Sequence, residues 1–417
     1  MTSPTLSGSP ASAGAGTGDA ELRDSLDPLA TFPSRFVPSA EVVAYLDGNS
    51  LGRPLKVTKD RFGSFIEQQW GSRLIRSWDE EWFELPLTLG DRLGALTLGA
   101  AAGQTVVADS TTVMLYKLIR AAVDARPDRT EIVLDDDNFP TDRFIIEGIA
   151  RERGLTVRYI TVDKRYGVTT DQVSETVSDA TALLVVSHVA YRSGYLADMQ
   201  EITAAAHSAG ALVLWDLCHS AGVIPTELDA WGVDLAVGCT YKYLNGGPGS
   251  PAFGYVASRL QTEIEQPIWG WMGAADVFGM RVEYQPAPGM RRFISGTPPV
   301  VGMLAMQDML DLIDEAGMDA IRAKSIELTE AVLSFFDEKL APLGVELASP
   351  RDSAFRGSHV TIRHESFKAV NEVLWENGVI PDFRNPDGLR IGLSPLSTTF
   401  SELRVGLEAI VEAMTHG

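Results

Sequence analysis

The stretch Gly238-Cys-Thr-Tyr-Lys-Tyr-Leu-Asn-Gly-Gly-Pro-Gly249 follows Trp215-Asp-Leu-Cys-His-Ser-Ala-Gly222 in the chain, and the two segments together indicate the fold. The first carries Lys242 next to an apolar run, and the second carries Asp216 at the end of another. Lysines are seldom fully buried, so Lys242 indicates either a strand end reaching solvent or a functional amine. Asp216 is open to two similar interpretations, a helix N-cap or a functional carboxylate.

A lysine and an acid on neighbouring strand ends are what an enzyme that uses pyridoxal phosphate (PLP) requires. The amine forms a Schiff base with the cofactor, and the carboxylate keeps the pyridine nitrogen protonated so that the ring can absorb electrons. Desolvation and a nearby cation lower a lysine pKa, which favours this chemistry. The pair therefore predicts PLP, with Lys242 and Asp216 as catalytic residues.

Apolar segments alternate with helical patterns on both sides of this pair. Strand-like segments cover 131–134, 156–162, 182–187, 211–215 and 234–238, and helical patterns cover 110–125, 143–153, 171–177 and 199–208. Strands that are apolar on both faces and separated by helices predict an α/β fold with a mostly parallel sheet. Ligands bind such sheets at the carboxyl ends of the strands. Phe139, Ser187, Asp216 and Lys242 all follow strand-like segments.

The pattern changes at residue 299. A long helical stretch (300–340) leads into short strands at 345–347, 359–363 and 389–393, with helices at 367–377 and 400–414. This order predicts a smaller α+β domain over 299–417, after a large cofactor-binding domain with an N-terminal arm over 22–298. Residues 1–21 are rich in Ser, Gly, Ala, Thr and Pro, which predicts a disordered tail.

Composition narrows the partners. The 417 residues include 35 basic and 56 acidic side chains, a net charge of −21, which disfavours nucleic acid and anionic membranes. Two cysteines do not make a disulfide framework. No apolar run is long enough to span a membrane and no signal peptide is evident, so we expect a cytoplasmic protein. The histidines show no metal-binding spacing, and Asp135-Asp136-Asp137 is interpreted as a solvated strand end, so no metal is predicted.

Two further features each allow two interpretations. Thr111 and Thr112 open a helix, which indicates either simple capping or a phosphate site, because helix N-termini present free N–H groups. Arg390 lies in an apolar strand, either in a buried ion pair or as a fork for a substrate carboxylate.

These segments together resemble the kynureninase family of PLP-dependent hydrolases, over nearly the whole chain after the tail. The runs Thr240-Tyr-Lys-Tyr-Leu-Asn245 and Leu46-Asp-Gly-Asn-Ser-Leu-Gly52 are specific to that family within fold type I. Further matching segments are 75–78, 138–142, 187–191, 215–222, 270–271, 296–299 and 388–390. The resemblance implies a seven-stranded, mostly parallel sheet between helices and a smaller α+β domain.

The resemblance also implies roles for single residues. Lys242 would hold the cofactor and move protons at the substrate Cα, Asp216 would pair with the pyridine nitrogen, and Tyr241 would take part in proton transfer. Phe139 would stack on the ring. The phosphate and ring substituents would contact Thr111, Thr112, Asp142, Ser187, His219 and Tyr241.

On the substrate side, Arg390 would bind the α-carboxylate, and Asn49, Ser50 and Trp78 would line the aryl group. Trp271 and Thr297 would reach the site from the other subunit of a homodimer. Trp78 and Thr297 are similar to the bacterial form, which favours kynurenine over its 3-hydroxy derivative. The run Met272-Gly273-Ala274 replaces the family's usual aromatic residue and Gly-His, which changes the expected edge of the aryl pocket.

The implied reaction is hydrolytic Cβ–Cγ cleavage of L-kynurenine to anthranilate and L-alanine, in tryptophan and kynurenine metabolism. A class V aminotransferase, or a kynureninase-like enzyme acting on a ring-substituted kynurenine in secondary metabolism, remains an alternative. A non-catalytic binding protein is disfavoured by the presence of Lys242, Asp216 and Arg390. A cysteine desulfurase needs a cysteine on a mobile loop, and both cysteines here precede Lys242.

Overall fold

The computed structural model describes residues 17–416, with side chains from 19 to 415. The first part of the chain contains α1 (Thr17–Leu26), β1 (Ala44–Tyr45), α2 (Lys56–Ser64), α3 (Leu85–Leu93), β2 (Thr105–Val107) and α4 (Thr111–Asp124). The central part contains β3 (Glu131–Asp135), α5 (Pro140–Arg153), β4 (Thr156–Ile160), α6 (Thr170–Thr176), β5 (Thr181–Ser187), α7 (Met199–Ser208), β6 (Leu212–Asp216), β7 (Leu235–Gly238) and β8 (Phe253–Val256). The last part contains α8 (Val300–Ala316), α9 (Met318–Phe335), β9 (Glu346–Leu347), β10 (His359–Arg363), α10 (Phe367–Glu376), β11 (Val379–Ile380), β12 (Asp382–Arg384), β13 (Gly388–Gly392) and α11 (Phe400–His416).

Seven strands form the main sheet, in the order β2-β8-β7-β6-β5-β3-β4. The neighbours from β4 to β7 are parallel, and β8 runs antiparallel to both β7 and β2. The prediction of a mostly parallel α/β sheet is therefore confirmed. Asp216 is opposite Ser187 on one side and Val237 on the other, so the carboxyl ends of β5, β6 and β7 meet at one edge.

The sheet separates two hydrophobic cores. Along β5, Leu184 and Val186 belong to one core, whereas Leu183 and Val185 belong to the other. Successive side chains of a strand point to opposite faces, so a strand between two helical layers must be apolar throughout. This explains the continuous apolar runs in the sequence.

A third core lies in the C-terminal part of the chain. It packs beneath an antiparallel sheet of order β12-β13-β10-β9 and includes residues of α9, α10 and α11. Ala44 and Leu46 of the N-terminal arm also belong to it, and β1 pairs in parallel with β11. The arm therefore connects the two parts of the molecule.

Three features differ from the sequence-based predictions. Residues 17–21 of the predicted disordered tail lie in α1, while the rest of that tail falls outside the described residues. Helix α1 is fixed by a distant contact, since the Asp24 carboxylate accepts from the N–H groups of Phe400 and Ser401 at the start of α11 (2.6 and 3.0 Å). The predicted helix at 300–340 is divided at Gly317, whose φ of +77° favours glycine. Helix α8 packs in the first of the two sheet-facing cores, so the third core begins only within α9.

No helix within residues 17–416 is long and apolar enough to cross a membrane.

Candidate active site

A cavity of about 580 Å³ lies at the carboxyl ends of the parallel strands. A volume of a few hundred cubic ångströms is typical of cofactor and ligand sites. The structure brings ten of the predicted site residues to its wall: Thr111, Thr112, Phe139, Asp142, Ser187, Asp216, His219, Tyr241, Lys242 and Thr297.

Lys242 lies in the loop after β7 and is only 9% exposed. Its Nζ is 3.1 Å from His219 Nε2 and 6.0 Å from the centre of the Phe139 ring. Burial, followed by the charge of Lys242, holds the pKa of His219 well below its ordinary value. The imidazole is therefore neutral at physiological pH and can accept a hydrogen bond from the lysine.

Two carboxyl groups share the wall next to Lys242. Asp216 ends β6, and its Oδ1 accepts from the Cys218 N–H at 2.7 Å, which orients the carboxylate. Asp142, in the first turn of α5, lines the same cavity as Asp216, and burial followed by the charges of Asp216 and Asp135 raises its pKa well above the ordinary value. Two adjacent buried carboxylates do not both ionise. The raised pKa favours the protonated form of Asp142.

The N-terminus of α4 opens onto the same cavity. Ser110 caps the helix through its Oγ, which accepts from the Val113 N–H at 3.4 Å. The first N–H groups of a helix have no intrahelical partner, and they carry the positive end of the helix dipole. Thr111 and Thr112 add hydroxyl groups beside them. This end of the cavity is suited to a phosphate group.

Aromatic and hydroxyl side chains complete the wall. Phe139 precedes α5, and its ring meets that of Tyr191 edge-on at 5.4 Å. Ser187 ends β5 and donates from Oγ to Asn138 Oδ1 at 3.2 Å. The Tyr241 main chain is tied to the N-terminal arm, since its carbonyl accepts from the Gly52 N–H at 2.9 Å.

Arg390, Asn49 and Ser50 lie outside the cavity wall. Arg390 is buried, and it donates from Nε to Asp382 Oδ2 (2.5 Å), from Nη1 to the Tyr191 carbonyl (2.7 Å) and from Nη2 to Ser50 Oγ (3.0 Å). It therefore forms the buried ion pair that was one of its two interpretations. Asn49 is fully buried, and neither amide atom finds a hydrogen-bond partner within the described part of the chain.

The residues that the resemblance places beside the aryl group or in the neighbouring subunit's site lie in three different places. Trp78 lines a separate apolar cavity of about 330 Å³ with Phe65, Trp70, Trp82 and residues 298–302. Thr297, which the resemblance assigns to the neighbouring subunit's site, lines the cavity of its own chain, whereas Trp271 is 47% exposed and does not. Met272 is 2% exposed and packs in a hydrophobic core, so its side chain does not form the edge of this cavity.

Several residues with a part in the site were not predicted from the sequence. Tyr191 and Cys218 line the cavity, and Asp382 neutralises Arg390. Tyr191 and Cys218 both follow a strand and lie within the segments that carry the family resemblance. Their position after a strand is the signal that could have identified them as site residues. Asp135, expected to be solvated, is only 7% exposed, and burial is the main cause that raises its pKa to about 7. No group of three or more potential metal ligands occurs among residues 17–416.

The residues present fit PLP. A helix N-terminus with two threonines suits the phosphate, and a flat aromatic ring lies 6.0 Å from the only lysine of the wall. Asp142 Oδ2 is buried and has no hydrogen-bond partner among the described residues, so the carboxyl pair retains capacity for a donor such as a protonated pyridine nitrogen. The cavity therefore suits PLP, and Lys242 is the lysine on its wall.

Comparisons with known proteins agree with this site. Residues 95–379 match the aminotransferase class-V family. The chain is 39% identical to a kynureninase of Pseudomonas fluorescens, over 94% of each chain, and 41% identical to a kynureninase of Burkholderia pseudomallei, over 92% of each.

Solved structures show the same fold at lower identity. The cysteine desulfurase CsdA of Escherichia coli superimposes with a TM-score of 0.78 at 18% identity, over 93% of this chain and 98% of that one. A mutant of C-DES with glycine covalently linked to its PLP cofactor gives 0.77 at 19% identity, over 88% of this chain and 96% of that one. The fold is that of PLP-dependent enzymes of fold type I. The identity of about 40% to the two kynureninases, over nearly the whole chain, identifies the family within that fold. The chain belongs to the kynureninase family.

Proposed function

We propose that this protein hydrolyses the Cβ–Cγ bond of L-kynurenine to anthranilate and L-alanine. The observation that carries the proposal is the buried Lys242 beside a neutral His219, in one cavity with the Asp142–Asp216 pair and the α4 N-terminus. Relatives about 40% identical over nearly the whole chain are named kynureninase. The chemistry that the site permits and the family therefore agree.

Each end of the cofactor has a defined partner in this proposal. When bound, PLP supplies an electron sink for charge that develops at the substrate Cα and Cβ. Thr111, Thr112 and the helix N–H groups hold its phosphate, with Ser187 nearby. Asp216, with Asp142 on the same wall, would keep the pyridine nitrogen protonated. Phe139 covers the ring, and the Lys242 amine takes the proton from the substrate Cα.

Tyr241 is suited to deliver a proton later in the reaction. Burial is the first cause that raises the pKa of its hydroxyl well above the ordinary value, so it is protonated at neutral pH. Water provides the hydroxyl that adds to the γ-carbonyl carbon. When the Cβ–Cγ bond breaks, that carbon becomes the carboxyl group of anthranilate. The electron pair of the broken bond stays on Cβ, and Tyr241 donates the proton that makes it the methyl group of alanine.

Arg390 is proposed to bind the α-carboxylate through the side of its guanidinium that faces Ser50 and Tyr191. Asp382 holds the opposite side through Nε, and this contact sets the plane of the fork. Asn49 lies beside the same strand, since a Cβ on Gly392 would meet its Oδ1. Its unpartnered amide is available for a substrate group. Trp78 and its apolar neighbours would accept the aryl ring.

We further propose a cytoplasmic homodimer in which Trp271 contributes to the partner's site. Trp271 is half exposed and does not reach the cavity of its own chain, and Trp70 (57% exposed) and Ile75 (77% exposed) are large apolar side chains facing solvent. Exposed apolar side chains of this size are characteristic of interfaces. Both cysteines are free thiols, which suits a reducing compartment.

The test is an anthranilate assay with the purified protein and L-kynurenine, following product fluorescence and alanine together. Equal amounts of both products support the proposal. A keto acid with conversion of the cofactor to its amine form would instead identify an aminotransferase, and absence of any product would refute the enzyme. Comparing kcat/KM on L-kynurenine and the 3-hydroxy compound tests the expected preference for kynurenine.

A further inference from the structure

The two cysteines of the chain lie on neighbouring strand ends beside the active-site cavity, and Cys218 lines its wall. Cys218 follows β6 by two residues and Cys239 follows β7 by one, and these are adjacent parallel strands. The register pairs Asp216 with Val237, and the Leu217 N–H donates to the Val237 carbonyl at 2.7 Å. The two chain segments are therefore still in contact where the cysteines occur.

The Cys239 side chain contacts the Cys218 segment directly, since its Sγ donates to the Cys218 carbonyl oxygen at 3.9 Å. Neighbouring strands are about 4.8 Å apart, which falls within the Cα separations that disulfides span. Cys218 lines the cavity and is reached by solutes there, whereas Cys239 is 3% exposed.

We propose that Cys218 and Cys239 form an oxidation site, at which a peroxide produces a disulfide when PLP is not in the cavity, and that this disulfide prevents PLP from binding. The proposal concerns regulation of the cofactor site and goes beyond the hydrolysis reaction. PLP would protect the pair, because Cys218 belongs to the same cavity wall as the residues that hold the cofactor, Lys242 and Asp216 among them.

The two thiols differ in pKa and in their exposure to the cavity. The pKa of the Cys218 thiol is raised, first by its hydrogen bond with Cys239 and then by burial. Burial alone would raise the pKa of Cys239, but the hydrogen bond from Cys218 and the charge of Lys242 outweigh it, and the pKa is lowered. Cys218 is the sulfur that a solute in the cavity reaches, and it reacts through its minor thiolate form, whereas the lowered pKa of Cys239 favours the thiolate that attacks in the second step.

The oxidation proceeds in two balanced steps. The Cys218 sulfur attacks one oxygen of hydrogen peroxide, the O–O bond breaks, and the Cys218 proton leaves with the second oxygen as water, which produces a sulfenic acid. The Cys239 thiolate then attacks the Cys218 sulfur, the S–O bond breaks, and the hydroxide takes the proton that Cys239 gave up and leaves as water. Two thiols lose two electrons in total, and one peroxide is reduced.

The disulfide would change the positions of the groups that hold the cofactor. Cys218 lies between Asp216 and His219 in the chain, and its N–H binds the Asp216 carboxylate at 2.7 Å. Cys239 precedes Tyr241 and Lys242 by two and three residues. A bond of about 2.05 Å between the sulfurs would fix the Cys218 side chain and restrict the Asp216–His219 and Tyr241–Lys242 segments, whose side chains form the cofactor site.

The experiment compares the full-length protein with PLP and after PLP has been removed, each treated with hydrogen peroxide. Free thiols are counted after denaturation, and peptides are mapped by mass spectrometry without reduction. We expect the PLP-free protein to lose both thiols and yield one peptide linking Cys218 to Cys239, while the PLP-loaded protein keeps both thiols. Dithiothreitol should restore both thiols and the ability to bind PLP, followed by absorbance and tryptophan fluorescence.

Two variants serve as controls. Cys239→Ser should stop at the sulfenic acid of Cys218, detected with a dimedone-type reagent, and Cys218→Ala should leave Cys239 reduced. The wild-type peptide map does not depend on either variant folding. The proposal is overturned by equal thiol loss with and without PLP, by disulfides only between chains on a non-reducing gel, or by oxidised protein that binds PLP as fast as reduced protein.

Discussion

Lys242 Nζ and His219 Nε2 lie 3.1 Å apart within a buried cavity, with the imidazole held neutral by burial and by the lysine charge. The lysine is therefore placed by a histidine from the neighbouring strand end, one helical turn after Asp216. This contact ties the residue that holds the cofactor to the segment that carries its acid partner. Among residues 19–415, Lys242 forms no ion pair, and His219 is its side-chain hydrogen-bond partner.

Replacing Lys242 with arginine should abolish turnover while leaving the fold intact. Arginine retains the charge but does not give up a proton near neutral pH, so it neither holds PLP covalently nor acts as a base. We expect kcat to fall by about 10²–10⁴-fold or more, together with loss of the absorbance of covalently held cofactor. Lys164→Arg, at an exposed lysine, is the matched control. Retained cofactor absorbance in Lys242→Arg would contradict the assignment.

Asp135→Asn should change the pH dependence of stability in the PLP-free protein. Burial is the main cause that raises the pKa of Asp135 from 3.8 to about 7. The folded state therefore binds a proton more tightly than the unfolded state. Stability from this group is present below about pH 4 and is lost as pH rises toward 7. The free energy of unfolding of the wild type should therefore fall over that interval by up to ~4 kcal/mol relative to the variant.

Chemical denaturation at a series of pH values measures this difference. Asn keeps the acceptor that binds the Asp137 N–H at 3.1 Å, so the comparison isolates the charge. Asp163→Asn, at an exposed carboxylate whose pKa is lowered by its hydrogen bond with Arg165, should show the opposite slope at low pH. A constant gap between Asp135→Asn and wild type from pH 4 to 7 would show that Asp135 is ionised throughout.

Arg390→Lys should weaken substrate binding more than it slows turnover. The planar fork of Arg390 is held by Asp382, Ser50 and the Tyr191 carbonyl, and a lysine does not reproduce that geometry. Hydrogen bonds to charged groups contribute about 1.5–3 kcal/mol, so KM should rise about 10- to 100-fold. Arg363→Lys, in an exposed ion pair with Asp387 at 2.8 Å, should leave KM unchanged. A change confined to kcat would count against carboxylate binding by Arg390.

Mixing two inactive variants tests whether the site is shared between subunits. If Trp271 serves the partner's site, a mixed dimer of Lys242→Ala and Trp271→Ala chains contains one site with both defects and one intact site. Random re-association should then restore roughly a quarter of wild-type activity, because half of the dimers are mixed. If Trp271 serves its own chain, neither site of the mixed dimer is intact and activity stays at the level of the separate variants.

Gly52→Ala should disturb the active site from the N-terminal arm. A Cβ at this position would lie 2.4 Å from the Lys242 carbonyl oxygen, and the Gly52 N–H donates to the Tyr241 carbonyl. We expect a loss of about 1–3 kcal/mol in unfolding free energy, measured by denaturant titration, and a lower kcat. Gly63→Ala in α2 meets no atom within 4 Å and should stabilise the protein by about 0.5–1 kcal/mol. Unchanged kcat in Gly52→Ala would show that the arm does not position Tyr241 and Lys242.

The fold class, the cofactor and part of the cavity wall follow from the amino-acid pattern without any coordinates, whereas Asp142, Tyr241 and Thr297 were expected only from the family resemblance. Strands β5, β6 and β7 were recognisable because a strand buried on both faces is apolar throughout, which is a local property. Ser187, Asp216 and Lys242 were placed together because parallel strands end at one edge of their sheet. These inferences needed only neighbouring residues and one rule of topology.

The remaining groups are positioned by contacts between distant segments, which only the folded chain shows. The partner of Arg390, the docking of α1 through Asp24, the inward packing of Met272 and the contact of Cys239 with the Cys218 carbonyl all join segments that no local pattern relates. Strands β2 and β8 were likewise missed, because three or four residues are too few to show a period. Such features depend on which distant surfaces meet during folding, and no single segment determines the free energy of those contacts.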